Sequence, residues 1–338
     1  MLDRHSSTAH AAYHDLLASL KNEVATEVRG TPTKAIRGGK AYWYDTFRVG
    51  TDVRKTYIGE DTPELATRLG QLLHLKAQAG TRQENRTRLI RILRAEGFMR
   101  IDAATGSLIA AMAKACVFRL GGTIVGTHAF RLYEGELGLR YRFDDAAQTR
   151  DMDIAGFERL SLALEDVVSP RLQDVFRDFS FEPVPDLKPG NVWRWKQTRN
   201  ELMVEFLTPS FDADETIRPL AALGVDAQSL HHMNYLIQQP ILAAVPYRSG
   251  VLVQIPQPER FAIHKLIVAD RRKGGPDAIK STKDRAQAAF LIRALAEDRP
   301  DELREAYQIA RETGPRWTMR LDNTLEKMPA TRAILAGL

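Results

Sequence analysis

The amino-acid sequence predicts an α+β protein in which a small mixed sheet is preceded by a helix and β-hairpin module and followed by a mainly helical region. Three observations predict it. Apolar residues recur at helical spacing near both ends of the chain, strand-like alternation is confined to short runs in the middle, and glycine or proline separates the two patterns. A length of 338 residues with 44% apolar residues supports about two domain-sized cores. The composition shifts suggest three segments, 1–100, 101–210 and 211–338.

Within residues 8–29, Ala12, Leu16, Leu17, Leu20 and Val24 mark one face of a first helix. The pattern then changes to Ala41-Tyr-Trp-Tyr-Asp-Thr-Phe-Arg-Val, Gly50 and Val53-Arg-Lys-Thr-Tyr-Ile-Gly, two strands around a glycine turn. Pro63 opens a helix through about Ala79, and Arg86 to Ala95 continues it with Arg88, Arg91 and Arg94 sharing a face. Next come a helix from Ser107 to Ala115, a strand running into Gly121-Gly122, a helix from Thr123 to about Tyr133 and a strand from Asp151 to Ile154. A helix from Phe157 and a hairpin from Val192 to Leu207 complete the middle segment. After Pro209 the pattern reads as helical, with one apolar strand at Val251–Ile255 and a break at Gly274-Gly-Pro.

The net charge of +5 is uneven: residues 1–100 hold seventeen Lys/Arg against eleven Asp/Glu. A basic front of this kind suits contact with RNA or another nucleic acid. The aromatic rings Tyr42, Trp43, Tyr44, Phe47 and Tyr57, interleaved with Lys40, Arg48, Arg54 and Lys55, fit either the core of a small sheet or a base-stacking platform. Core is the simpler reading for the rings, and the Arg88, Arg91 and Arg94 face is the better phosphate contact.

Chemistry concentrates in the middle segment. In Asp151-Met-Asp-Ile a strand places both carboxylates on one face and Met152 and Ile154 on the other. Two such acids repel unless a cation lies between them, and a divalent ion with oxygen ligands is the usual solution. Glu205 interrupts the apolar run Leu202-Met-Val-Glu-Phe-Leu, where an ionised carboxylate is costly without a partner; a solvent-facing position in an amphipathic hairpin is the alternative. The run Phe118-Arg-Leu-Gly-Gly-Thr-Ile-Val-Gly-Thr-His reads as strand, glycine turn and helix start, a geometry whose backbone N–H groups suit a phosphate.

In that order, these parts resemble the polymerase-β-type nucleotidyltransferases, and more closely a prokaryotic family with that fold whose members pair an aromatic hairpin module with the transferase core. The likeness spans roughly residues 28–300. It implies that Gly121, Gly122 and Thr123 hold nucleotide phosphates, that Asp151 and Asp153 are the paired metal-binding acids, and that Glu205 is the third. Mg²⁺ or Mn²⁺ as cofactor, an NTP as substrate, and RNA, protein or a small molecule as acceptor follow from the same resemblance. The separation of Gly122 from Asp151 is longer than in many members of the superfamily.

Phe261-Ala-Ile-His-Lys-Leu and Ser281-Thr-Lys-Asp-Arg are similar to a helix pair of the nucleotidyltransferase toxins found in toxin–antitoxin and abortive-infection systems. That match implies phosphate contacts from Lys265 and Lys283 and an orienting role for Asp284. Without it, Lys265 reads as a lysine stem lying along an amphipathic helix and Lys283-Asp284 as a helix-end charge pair.

Other signals are weaker. No apolar run reaches bilayer length and no leader pattern opens the chain, so a soluble cytoplasmic protein is expected. Cys116 reads as a small core residue. His10 and His14 lack the glutamate of a zinc-binding helix, His231-His232 has no metal-site spacing, and Ile279 stands where a phosphate-binding loop needs glycine. With all three acids present, a metal-dependent nucleotidyltransferase is the leading expectation. The alternative is a non-catalytic nucleic-acid-binding or partner-binding protein that keeps the fold.

Overall fold

Ala9, Ala12, Tyr13, Leu16, Leu17 and Leu20 are all buried, and their spacing makes one continuous stripe along α1 (Ser7–Val24). That stripe meets Ile90 and Leu93 of a later helix and Ala244 of a strand, forming a satellite core. The computed structural model describes residues 2–24, 31–49, 52–77, 79–140, 151–156, 167–185, 191–198, 201–274 and 278–338. The last part of the first expected helix and residues 157–166, where a helix is expected from Phe157 onward, therefore lie outside the described residues.

Three strands follow, β1 (Thr31–Arg37), β2 (Lys40–Val49) and β3 (Asp52–Glu60), all antiparallel in the order β1-β2-β3. The expected hairpin is thus a three-stranded sheet. Pro32 masks β1 in the sequence, and proline is tolerated there because the strand lies at an edge. Helices α2 (Pro63–Ala77) and α3 (Ala79–Ala95) come next, and Arg88, Arg91 and Arg94 are exposed on α3 while Arg86 is buried against Glu23 at 2.7 Å.

The central sheet begins after α4 (Ala103–Lys114), which Asp102 caps by accepting from the Thr105 N–H at 2.9 Å. It contains β4 (Thr123–Val125), β5 (Asp151–Ala155), β6 (Phe181–Pro183), β7 (Arg194–Gln197), β8 (Met203–Pro209), β9 (Ile217–Leu220) and β10 (Val225–Leu230). The main path runs β4-β5-β8-β10-β9, with β5, β8 and β10 parallel and β4 and β9 antiparallel to their neighbours. One edge of β8 pairs with β5; the other is shared by β7 over Met203–Glu205 and β10 over Leu207–Pro209. Helix α5 (Gly126–Leu137) leaves directly from β4, and α6 (Leu172–Asp178) lies before β6.

The chain after Pro209 is mainly helical, as expected, but its first part holds more strand than the one expected at Val251–Ile255. β9 and β10 extend the central sheet beyond residue 210, and β11 (Ile241–Val245) pairs with β12 (Val251–Ile255) after the short helix α7 (Met233–Ile237). β12 is the strand expected at Val251–Ile255, whereas β9, β10 and β11 are four to six residues long, too short for their alternation to stand out among apolar neighbours. From α8 (Pro258–Arg271) onward the expected helices appear: α9 (Ala278–Asp298), α10 (Pro300–Glu312), α11 (Pro315–Leu325) and α12 (Pro329–Ala336). Helix α8 is buried around almost its whole circumference and packs against α9, α10 and α11. It is the central helix of the C-terminal region and shares one large core with the sheet. No helix among the described residues is long and apolar enough to cross a membrane.

Helix α1 docks on α5 at Gly135, where a Cβ would stand 2.2 Å from the Tyr13 ring. The Tyr13 hydroxyl also accepts the Ala244 N–H at 3.2 Å, so the N-terminal helix is fastened both to α5 and to β11.

Candidate active site

Alternation along β5 sends Met152 and Ile154 into the core and leaves Asp151 and Asp153 partly exposed on the opposite face. Along β8, Val204 and Phe206 are likewise fully buried, and Glu205 falls on the face shared with the aspartates. The parallel register puts Asp153 directly across from Glu205 and Asp151 across from Met203. Neighbouring strands lie about 4.8 Å apart, so two carboxylates face each other across one strand spacing.

Both carboxyls respond to this crowding. Burial, with the charge of Asp151 added, pushes the Asp153 carboxyl up to about 6, against the pull of Lys265, Arg272 and Lys280. Glu205 is pushed up to about 7 by burial and by Asp153, against the pull of Arg194. Arg194 stands opposite Glu205 on β7, its guanidinium over the Trp193 ring at 4.4 Å. Among the described residues no group of three His, Cys, Asp or Glu is gathered tightly enough to hold a metal ion as it stands.

The glycine pressed against the acids is not in the expected pair. The helix expected from Thr123 begins at Gly126, because Thr123-Ile-Val forms strand β4 and pairs with β5 from Thr123↔Ala155 to Val125↔Asp153. Gly121-Gly122 therefore lies beyond the far end of β4, three residues and about 10 Å of strand away from the Asp153 pairing. Gly122 serves a tight turn there: its N–H donates to the Val117 carbonyl at 2.9 Å, and a Cβ would meet Val117 Cγ1 at 2.6 Å. Thr123 is buried, with its hydroxyl turned back to the Gly121 carbonyl at 3.3 Å.

Gly126 takes the place beside the acids. Its φ is +64°, and a Cβ would stand 2.3 Å from Asp153 Oδ2, so only glycine fits without moving the carboxylate. Val125, the residue capping α5, supplies no side-chain hydrogen bond to the first turn. Thr127 is buried and its hydroxyl receives the Gln287 amide of α9 at 3.4 Å. His128 is buried too; burial and the Arg131 charge push its imidazole down to about 4, and its Nε2 has no hydrogen-bond partner among the described residues.

Helices α8 and α9 bring cations to the acids. Lys265 is buried rather than lying along a surface, and its Nζ donates to Asp284 Oδ1 at 2.5 Å. Arg272 donates to the other oxygen of Asp284 at 2.9 Å. Asp284 thus orients a lysine and an arginine whose charges both act on Asp153. Lys283 is half-buried, and burial followed by the nearby Lys265 lowers its pKa, while Asp284, Asp151 and Asp153 oppose the shift. His264, on the same helix as Lys265, is buried and held neutral by loss of hydration and by His232. Sequence reasoning missed Gly126, Thr127, Arg194, Arg272 and Lys280. The one available signal was a second Gly-Thr step, Gly126-Thr127, closing the short run Thr123-Ile-Val.

Comparison with known proteins bears on the same residues. The profile of a family described as nucleotidyltransferase matches residues 103–312, and that of a domain of unknown function matches residues 10–67. Comparison with curated proteins finds no match. Among solved structures, an antigenic nucleotidyltransferase-like protein from Paracoccidioides brasiliensis is similar over 65% of this chain and 92% of its own, at 15% identity and a TM-score of 0.30. The nucleotidyltransferase profile spans more than half of the chain and encloses β4, Gly126, the three acids and both cationic helices, so this protein belongs to that nucleotidyltransferase family.

Proposed function

We propose that the protein transfers a nucleotide from an NTP to an acceptor hydroxyl, with Mg²⁺ or Mn²⁺ as cofactor. The observation that carries this reading is the Asp153–Glu205 pairing across β5 and β8 with Gly126 pressed against Asp153. Two carboxylates on adjacent strands, with Asp151 beside them, form a hard-oxygen donor set of the kind that suits these ions. Burial first, and repulsion between the carboxylates second, raises both pKa values against the partial pull of nearby lysines and arginines. Asp151, Asp153 and Glu205 would hold the cation, and a divalent ion bound there supplies neutralisation of triphosphate charge and a lower pKa for the acceptor hydroxyl.

The remaining work belongs to the chain. Backbone N–H groups in the first turn of α5, at Gly126 and Thr127, donate to phosphate oxygens, helped by the helix dipole. Lys280 and Lys283 add positive charge where pyrophosphate departs, and Asp284 keeps Lys265 and Arg272 directed at the acids. The new bond joins the acceptor oxygen to the α-phosphorus as the bond from that phosphorus to the pyrophosphate oxygen breaks. Catalysis in this arrangement is positioning together with electrostatic stabilisation of the transferring group.

Incubation with each α-labelled NTP, Mg²⁺ or Mn²⁺ and total cellular RNA or protein tests the reading. Label is expected to appear in one acceptor pool and to vanish with Asp153→Asn. Equal labelling by the wild type and the variant would refute it.

A further inference from the structure

The two faces of the β1-β2-β3 sheet differ in a way its sequence does not announce. On one face Trp43 is tied down: its Nε1 donates to Asp61 at 2.6 Å, Lys34 pairs with the same carboxylate, and Gly59 lies against Leu65 of α2. The other face is set by the register Thr33↔Tyr44, Tyr44↔Tyr57 and Thr46↔Lys55. It gathers Tyr42, Tyr44 and Tyr57, whose rings touch with centroids 5.8 Å apart for Tyr44–Tyr57 and 6.2 Å for Tyr42–Tyr57. Tyr57 is 56% exposed. These three tyrosines are therefore not the core of the module, contrary to the simpler sequence reading.

Cations frame the tyrosines. The Arg37 guanidinium lies over the Tyr44 ring at 5.8 Å, and Lys55 is exposed beside Thr46 on the same face. Lys40 is exposed as well and shares this face with Glu60, its ion-pair partner at 3.0 Å. Both halves of a nucleic-acid platform are then present on one surface: planar rings that accept bases of any identity, and side chains that neutralise phosphates. The basic surplus of residues 1–100 adds long-range attraction for the same partner.

We propose that this sheet face binds single-stranded nucleic acid, with unpaired bases stacked on Tyr42, Tyr44 and Tyr57 and phosphates held by Arg37 and Lys55. Stacking on open rings requires bases free of a duplex, which selects a single strand over a double helix. The surface belongs to a different sheet from the carboxylates, so its binding stands or falls independently of nucleotide transfer.

The test is fluorescence anisotropy of the full chain with labelled mixed-sequence oligonucleotides, offered as single-stranded RNA, single-stranded DNA and duplex DNA across a salt series. Asp153→Asn protein, assayed in parallel, is expected to bind as the wild type does, which separates this surface from the transfer site. Tyr57→Ala is expected to weaken single-strand binding about 5- to 150-fold. Arg37→Gln combined with Lys55→Gln should reduce the log–log salt slope by about 1.4, from about 0.7 for each phosphate contact on a single strand. Ile36→Ser, at an exposed site on the opposite face, should change neither. A preference for RNA or for DNA identifies the strand, and both support a single-strand surface. Absence of binding, duplex bound as tightly as single strand, or wild-type affinity in both the Tyr57 and the Arg37/Lys55 variants, with circular dichroism confirming their fold, would overturn the proposal.

Discussion

Replacing Gly126 by alanine adds one methyl group and tests how the site is assembled. The added Cβ would stand 2.3 Å from Asp153 Oδ2, whereas ordinary contact begins at 3.4 Å, so the carboxylate must retreat by about 1 Å. A displacement of that size in a catalytic site costs about 100-fold in rate. The backbone cost is separate: an alanine held at φ +64° loses about 1–2 kcal/mol, which lowers the melting midpoint by a few degrees and leaves most molecules folded at assay temperature. Label transfer from NTP is the assay, read beside Gly122→Ala, whose Cβ presses on Val117 and not on an acid. Gly122→Ala should cost stability yet leave the turnover of folded protein within a few-fold of wild type. Wild-type turnover in folded Gly126→Ala would refute the reasoning.

Three further outcomes are expected. Lys265→Ala strips a buried ion pair from Asp284 while Arg272 remains, so it should cost about 2–4 kcal/mol of stability, whereas Lys283→Ala should weaken NTP binding about tenfold with a nearly unchanged melting midpoint; urea melts and nucleotide titration separate the two. His128 is held neutral in the fold, with its pKa pushed down to about 4 against 6.5 when unfolded, so its stabilising effect is complete above pH 6.5 and declines as pH falls toward 4. That loss amounts to about 2.5 kcal/mol at pH 4.5, and the difference between wild type and His128→Gln in urea melts at pH 7 and 4.5 should show it; parallel pH dependence in the two proteins would assign the effect elsewhere. Arg88, Arg91 and Arg94 are exposed along α3, and their triple replacement by alanine should flatten the salt dependence of nucleic-acid affinity, an unchanged slope marking a merely solvated face.

The sequence made some parts of this site legible and concealed others for physical reasons. Period-2 alternation in Asp151-Met-Asp-Ile is a local pattern, and Asp151 and Asp153 share the face it predicts, whereas the sequence leaves Glu205 open between a partnered and a solvent-facing position. The mutual register of these acids is not local, since it arises from parallel pairing of strands about fifty residues apart. Paired glycines are a strong turn signal, and Gly121-Gly122 does make a turn. The three-residue strand that separates this turn from Gly126 is too short to show a period. Lys265 looked like an amphipathic-helix lysine because its partner, Asp284, lies on another helix. In the N-terminal module, composition revealed the aromatic content, but only the register through β1 shows which rings share the uncovered face.

The central claim is that Asp151, Asp153 and Glu205 together bind a divalent cation with an NTP. Thermal unfolding of wild type and Asp153→Asn, each with and without Mg²⁺ and NTP, tests it most directly, because a ligand selective for the folded state raises stability by about 2.7 kcal/mol at a hundred times its Kd. The wild type should gain a clear upward shift only when both are present, and Asp153→Asn should gain none while remaining folded without them. An Asp153→Asn protein that is stabilised by Mg²⁺ and NTP as strongly as the wild type would contradict the account.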